Sequence, residues 1–146
     1  MQTESQAFAY IKVFESIYSG SDLQSKYIAL DLTKIKYTNH PRIKELFKAY
    51  CASNNHEFLD YSYDELVKRG YINKEYMYFD NGVIVSFNDI SLTPEELRTG
   101  ASLWKSGLAS TGGVYTATKS GTGNWKIKGF NSWISFTDLN TFVTIT

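Results

Sequence analysis

Two histidines, one cysteine and fifteen carboxylates are what this chain offers to acid–base, nucleophilic or metal chemistry. His40 stands just before Pro41 at a predicted helix start, where it caps or is solvated, and His56 closes the polar turn Ser53-Asn-Asn-His56. Cys51 falls on the apolar stripe of the same predicted helix, where a thiol acts as a small hydrophobe, so a Cys51–His56 nucleophile pair is disfavoured. These three residues make no recognisable zinc site without carboxylates, and neither a metal nor a cofactor is predicted. Asp31, Asp60 and Asp64 could meet in a cleft as an acid–base pair, with Asp31 or Asp60 as base and Tyr27 or Tyr61 as orienting donor. Strand ends and helix starts also place Asp for local hydrogen bonding, which accounts for all three without catalysis. Gly121-Thr-Gly123 precedes a predicted strand, whereas a phosphate cradle needs a following helix. No residue is assigned a catalytic role, and a chain that is not an enzyme is the expectation.

Richer recognition chemistry gathers in the last third. All three tryptophans lie there, in Leu103-Trp-Lys-Ser-Gly107, Asn124-Trp-Lys-Ile-Lys128 and Ser132-Trp-Ile-Ser135, with seven of the ten glycines. Residues 97–137 carry Arg98, Lys105, Lys119, Lys126 and Lys128 and no Asp or Glu, while the first 96 residues hold fourteen of the fifteen acids. Aromatic faces beside cationic side chains stack on sugars or bases, and glycines let a ligand approach the backbone. The candidate binding residues are therefore Trp104, Lys105, Tyr115, Trp125, Lys128 and Trp133. The competing reading makes Trp104 and Trp125 inward residues of a curved sheet and the glycines its bends and bulges.

These residues need elements to hold them. The first is a helix at about 5–18, with Ala7, Ile11, Phe14 and Tyr18 on one stripe and Tyr10, Val13 and Ile17 beside it. Tyr27 to Leu32 reads as a strand, and a helix over 41–53 follows from Pro41 and the spacing of Ile43, Leu46, Phe47, Tyr50 and Cys51. If Glu57 to Asp60 is a short strand, residues 27–60 form a βαβ unit with parallel pairing. Ser62 and Glu65 make a capping box with a Tyr61–Leu66 staple, and Gly70 ends that helix. Beyond it the period becomes strand-like. Tyr76-Met-Tyr-Phe79, the turn Asp80-Asn-Gly82 and Val83 to Phe87 carry a hairpin signal, and Thr93-Pro-Glu-Glu96 is either a capped helical turn or a β-connection. Strands are expected at about 98–105, 112–119 and 124–129, with an edge strand in the tail from Trp133 to Thr146. The expected fold class is α+β, with N-terminal helices packed on a mainly antiparallel C-terminal sheet of about five strands.

Length and composition set the outer limits. At 146 residues, 42% hydrophobic and 21% charged, the chain suits a single domain spanning 1–146 with one real core. Fifteen bases against fifteen acids argue against a duplex-DNA binder. A lone cysteine permits no internal disulfide. No apolar run reaches the roughly 18–20 residues of a membrane span, and the start has no signal-peptide pattern. A soluble, cytoplasmic protein is expected, or a secreted or lipid-anchored one if a leader has been removed.

The order of elements resembles the cone-shaped folds termed cystatin-like or nuclear-transport-factor-like. Within that group Trp104-Lys-Ser-Gly107, Trp125-Lys-Ile and Trp133-Ile-Ser are similar to segments of small uncharacterised bacterial domains, some of them secreted or lipid-anchored. The resemblance implies a fold and no activity, because such folds host enzymes, pockets and interaction modules alike. Three functions are consistent with these residues. One is a non-enzymatic bacterial binding domain whose curved basic and aromatic sheet takes a glycan, an anionic polymer or a protein. Another is an immunity protein that neutralises a toxin, with the acidic first 96 residues facing a basic nuclease. The third is a small enzyme with a carboxylate in a cone-shaped pocket.

Overall fold

A wide apolar stripe, not propensity alone, makes the first helix. In the computed structural model, which describes residues 3–19 and 24–133 (backbone only over 130–133), α1 spans Glu4–Ser19 and buries Ala7, Ala9, Tyr10, Ile11, Val13, Phe14 and Ile17. β1 (Tyr27–Lys34) leads to α2 (His40–Ser53), which buries Ile43, Phe47 and Cys51. The cap of α2 is Asn39, one residue before the His40 expected there: the Asn39 side chain accepts from the Arg42 N–H at 3.3 Å, a role imidazole fills poorly. β2 (Glu57–Leu59) and α3 (Tyr63–Lys68) follow, with the Ser62 hydroxyl accepting from the Glu65 N–H at 3.2 Å and Gly70 adopting φ +83 just past the end. Short β3 (Ile72–Asn73) and β4 (Tyr78–Phe79) precede four long strands, β5 (Gly82–Leu92), β6 (Glu96–Ser106), β7 (Ala109–Lys119) and β8 (Trp125–Trp133).

Among the described residues the result is an α+β fold on one mixed eight-stranded sheet. β1 pairs in parallel with β2 and with β5, so residues 27–60 do form the βαβ unit. From β5 onward the sheet is an antiparallel meander, β5–β6–β7–β8. Thr93 to Glu96 is a β-connection, closed by the Thr93 N–H donating to the Glu96 carbonyl at 2.8 Å. The edge strand expected beyond Trp133 lies outside the described residues. No described helix is long and apolar enough to cross a membrane.

One expected feature is corrected. Asp80-Asn-Gly82 is not a hairpin turn, and β4 and β5 do not pair with each other. Both run antiparallel to β6, through Tyr78↔Ser106 and Ile84↔Trp104, so the chain continues along β6 with a corner between them. A type I′ turn requires positive φ at both central residues. Only Asn81 has it (φ 57), and its carbonyl accepts from the Lys26 and Tyr27 N–H groups at 2.7 and 2.9 Å, which fastens the corner to β1.

Two cores sit on opposite faces of the sheet. On the inner face α1 and α2 cover Ile28, Val83, Val85, Phe87, Leu97, Leu103 and Tyr115. On the outer face α3 and the β3–β4 segment cover a smaller cluster of Ala29, Leu59, Leu66, Ile72 and Phe79, with Ile84 and Trp104 at its margin. Full burial of each such side chain stabilises by roughly 1.5–3 kcal/mol, so the inner core dominates stability and the smaller cluster positions α3.

Candidate functional site

Side chains alternate across a strand, so the residues in register with that outer cluster share its face. Ala29, Ile84 and Trp104 form one row across β1, β5 and β6. Two residues further along, Asp31, Ser86, Ser102 and Gly112 form the next, which continues to the backbone of Trp133 on β8. This second row crosses five strands, about 19 Å at the usual strand spacing. Its floor is low: the Ser86 and Ser102 hydroxyls bond to each other at 2.7 Å, and a Cβ on Gly112 would lie 2.4 Å from the Ala101 carbonyl oxygen.

Where this floor meets α3, it opens into a half-open cleft of about 470 Å³. Asp31, Tyr61, Tyr63, Met77, Ser86 and Trp104 are its principal walls. Each is placed by its own element. Tyr61 and Tyr63 flank the Ser62 cap of α3, and Tyr63 meets the Trp104 ring edge-on, with centroids 5.8 Å apart and planes at 68°. Met77 sits in the β3–β4 turn at φ 50, a conformation costly for a side chain of this kind. It is held there because its carbonyl accepts from the Gly107 N–H at 3.1 Å. Asp31 is exposed, and its Oδ1 accepts from the Thr33 N–H at 3.0 Å and the Thr33 hydroxyl at 2.6 Å. No salt bridge engages it among the described residues.

The six candidate binding residues do not form one face. Trp104 is half-buried on the outer side. Tyr115 and Trp125, at 2% and 9% exposure, belong to the inner core, which corrects the expectation of an outward aromatic surface there. An indole can be core once its N–H is satisfied, and Trp125 Nε1 donates to the Ser5 carbonyl at 3.2 Å. Gly129, opposite Tyr115, serves packing: a Cβ there would lie 2.3 Å from the Tyr115 ring. Lys105 donates to the Phe79 carbonyl at 3.3 Å and lies 5.1 Å from the Tyr78 centroid, tying β6 to β4. Lys128 is exposed in a row with Thr116 and Arg98, separate from the cleft. Trp133 ends β8, and its side chain lies outside the described residues.

The other reactive groups are structural. His56 is half-buried against the rings of Tyr18 and Tyr50 and donates from Nδ1 to the Ser25 carbonyl at 2.6 Å. Asp60 pairs with Lys44 at 3.0 Å and does not line the cleft with Asp31. Asp64 is in the first turn of α3, and Tyr27 packs between Tyr71 and Phe79. Cys51 is 1% exposed, and burial pushes its thiol up to about 11. The native protein is therefore expected to leave Cys51 unmodified by iodoacetamide at pH 8, with full labelling only in denaturant; rapid native labelling would show that α2 opens readily.

Sequence reading missed Tyr63, Met77, Ser86 and Ser102. The one available signal was Ser86 inside the apolar run Val83 to Phe87 of β5. No family model, curated protein or solved structure matches this chain.

Proposed function

We propose that this protein is a non-enzymatic binding domain whose working surface is the Trp104 cleft on the outer face of the sheet. The observation that carries the reading is a concavity of about 470 Å³ walled by Trp104, Tyr61, Tyr63 and Met77, with Asp31 as the single charged group in its lining among the described residues. Small-molecule sites are commonly concave and mainly apolar, with few polar groups to fix orientation. Strain at a non-glycine residue such as Met77 also concentrates at ligand clamps. Acid–base catalysis would draw on a desolvated carboxylate, and the exposure of Asp31 supports binding over that alternative.

The test is ligand-observed NMR with ring-bearing fragments on the full chain. Fragments with millimolar affinity are expected, and Trp104→Phe, which keeps a ring and the fold but shrinks the wall, should weaken them about three- to ten-fold. Trp125→Phe removes a core hydrogen bond and should lower stability while leaving fragment affinity unchanged. Equal binding by wild type and Trp104→Phe would remove the cleft from consideration.

A further inference from the structure

Three aromatic rings, a thioether and hydroxyls surround one carboxylate, and among the described residues no Lys or Arg lines the cleft. This composition is selective. An anion would meet the repulsion of Asp31, and a polyhydroxylated ligand would find most of the wall's area apolar. A purely apolar ligand would leave Asp31 to be desolvated without a partner. A ligand that joins an apolar body to a positive charge satisfies both parts. Its charge would lie against Trp104 or Tyr63 and near Asp31, while its body covers Ile84 and Met77. Asp31 is prepared for this role: both Thr33 donors converge on Oδ1, which orients the carboxylate and leaves Oδ2 without a partner among the described residues.

From this charge complementarity we infer that the cleft recognises an organic cation, a protonated or quaternary amine carrying an aromatic or aliphatic group. The inference rests on the proposal that the cleft is a binding site and adds the class of ligand. Arg69 lies 4.1 Å from the Tyr61 centroid and already occupies that ring, which leaves Trp104 and Tyr63 as the rings for a ligand's charge.

The experiment titrates the full chain with three probes of one shape: 2-phenylethylamine, 2-phenylethanol and 3-phenylpropanoate at pH 7. The amine is expected to bind about ten-fold more tightly than the alcohol, and the carboxylate most weakly, with the gap narrowing as salt rises. Asp31→Asn retains the Oδ1 acceptor for Thr33, so the fold is kept. It should bring the amine-to-alcohol ratio to about one while leaving alcohol affinity unchanged. Trp104→Phe should weaken amine and alcohol together. If alcohol and amine bind equally to wild type, or if Asp31→Asn leaves their ratio intact, the cation inference fails and the binding site stands. If no probe binds up to tens of millimolar while the protein stays folded, the site and its ligand class fail together.

Discussion

Gly82→Ala is expected to destabilise the protein by about 3–5 kcal/mol, as much as deleting a buried phenylalanine. A Cβ at this position would lie 2.1, 2.3 and 2.4 Å from three carbons of the Phe79 ring. Phe79 is fully buried in the outer cluster and stacks parallel to Tyr27 at 6.5 Å, so the ring has no free direction in which to retreat. Moving the backbone instead would break the Tyr27↔Gly82 pairing and the two hydrogen bonds from Lys26 and Tyr27 to the Asn81 carbonyl. For a chain of this length the thermal midpoint should fall by on the order of 10–15 °C. Coupling identifies the cause. In a Phe79→Ala background the ring is gone, and adding Gly82→Ala should cost less than about 1 kcal/mol. Additive losses in the double mutant, or a single-mutant loss under 1 kcal/mol, would refute this account of the corner.

Tyr10→Phe and Tyr115→Phe remove the same atom from two buried tyrosines with opposite expected results. The Tyr10 hydroxyl donates to Asp89 Oδ2, which also accepts from the Lys36 N–H at 2.8 Å. Without Tyr10 the partly buried carboxylate loses a donor, at a cost of about 1.5–3 kcal/mol. The Tyr115 hydroxyl is buried with no hydrogen-bond partner among the described residues, so its removal should be neutral or stabilise by up to about 1 kcal/mol. The pH dependence follows from the same environments. Burial first, and then the bond to Asp89, raise Tyr10 well above its usual 10, and burial raises Tyr115. A raised native pKa keeps its stabilisation in full below the unfolded value near 10 and loses it as pH rises above that. Tyr10, with the large shift, should therefore remove about 1.4 kcal/mol per pH unit above pH ~10, and Tyr115 acts in the same direction. Urea midpoints measured from pH 8 to 12 should fall steeply in wild type, and above pH ~10 with a slope smaller by about one proton in Tyr10→Phe. A Tyr10→Phe slope equal to wild type would contradict the assignment.

What was legible in the sequence was local. The stripe from Ala7 to Ile17, Pro41 with its following apolar spacing, the Ser62–Glu65 box and Gly70 each specify an element through contacts within a few residues, and each element is present. The βαβ unit and the α+β class also follow, because a helix of this length between two short strands brings them into parallel register. The corner at Asp80-Asn-Gly82 went the other way. Its residues suit a hairpin, but β5 pairs with the next strand, β6, whose far end at Ser106 also offers β4 a partner 28 residues downstream of Tyr78, and that pairing overrides the local preference.

Tertiary structure alone decided the site. A one-residue change of register turns a strand's side chains to the opposite face, so composition cannot say which tryptophan looks outward. Trp104 and Trp125 have the same type and similar neighbours, yet one borders the cleft and the other donates to Ser5 beneath α1. Asp31, Ser86, Ser102 and Gly112 lie on four strands, spread over 81 positions of chain, and become neighbours only through the pairing of β1, β5, β6 and β7. Helix formation depends on side chains a few residues apart, which a linear pattern displays. A binding surface on a sheet depends on which strands lie side by side and in what alignment, and packing of the whole chain determines both.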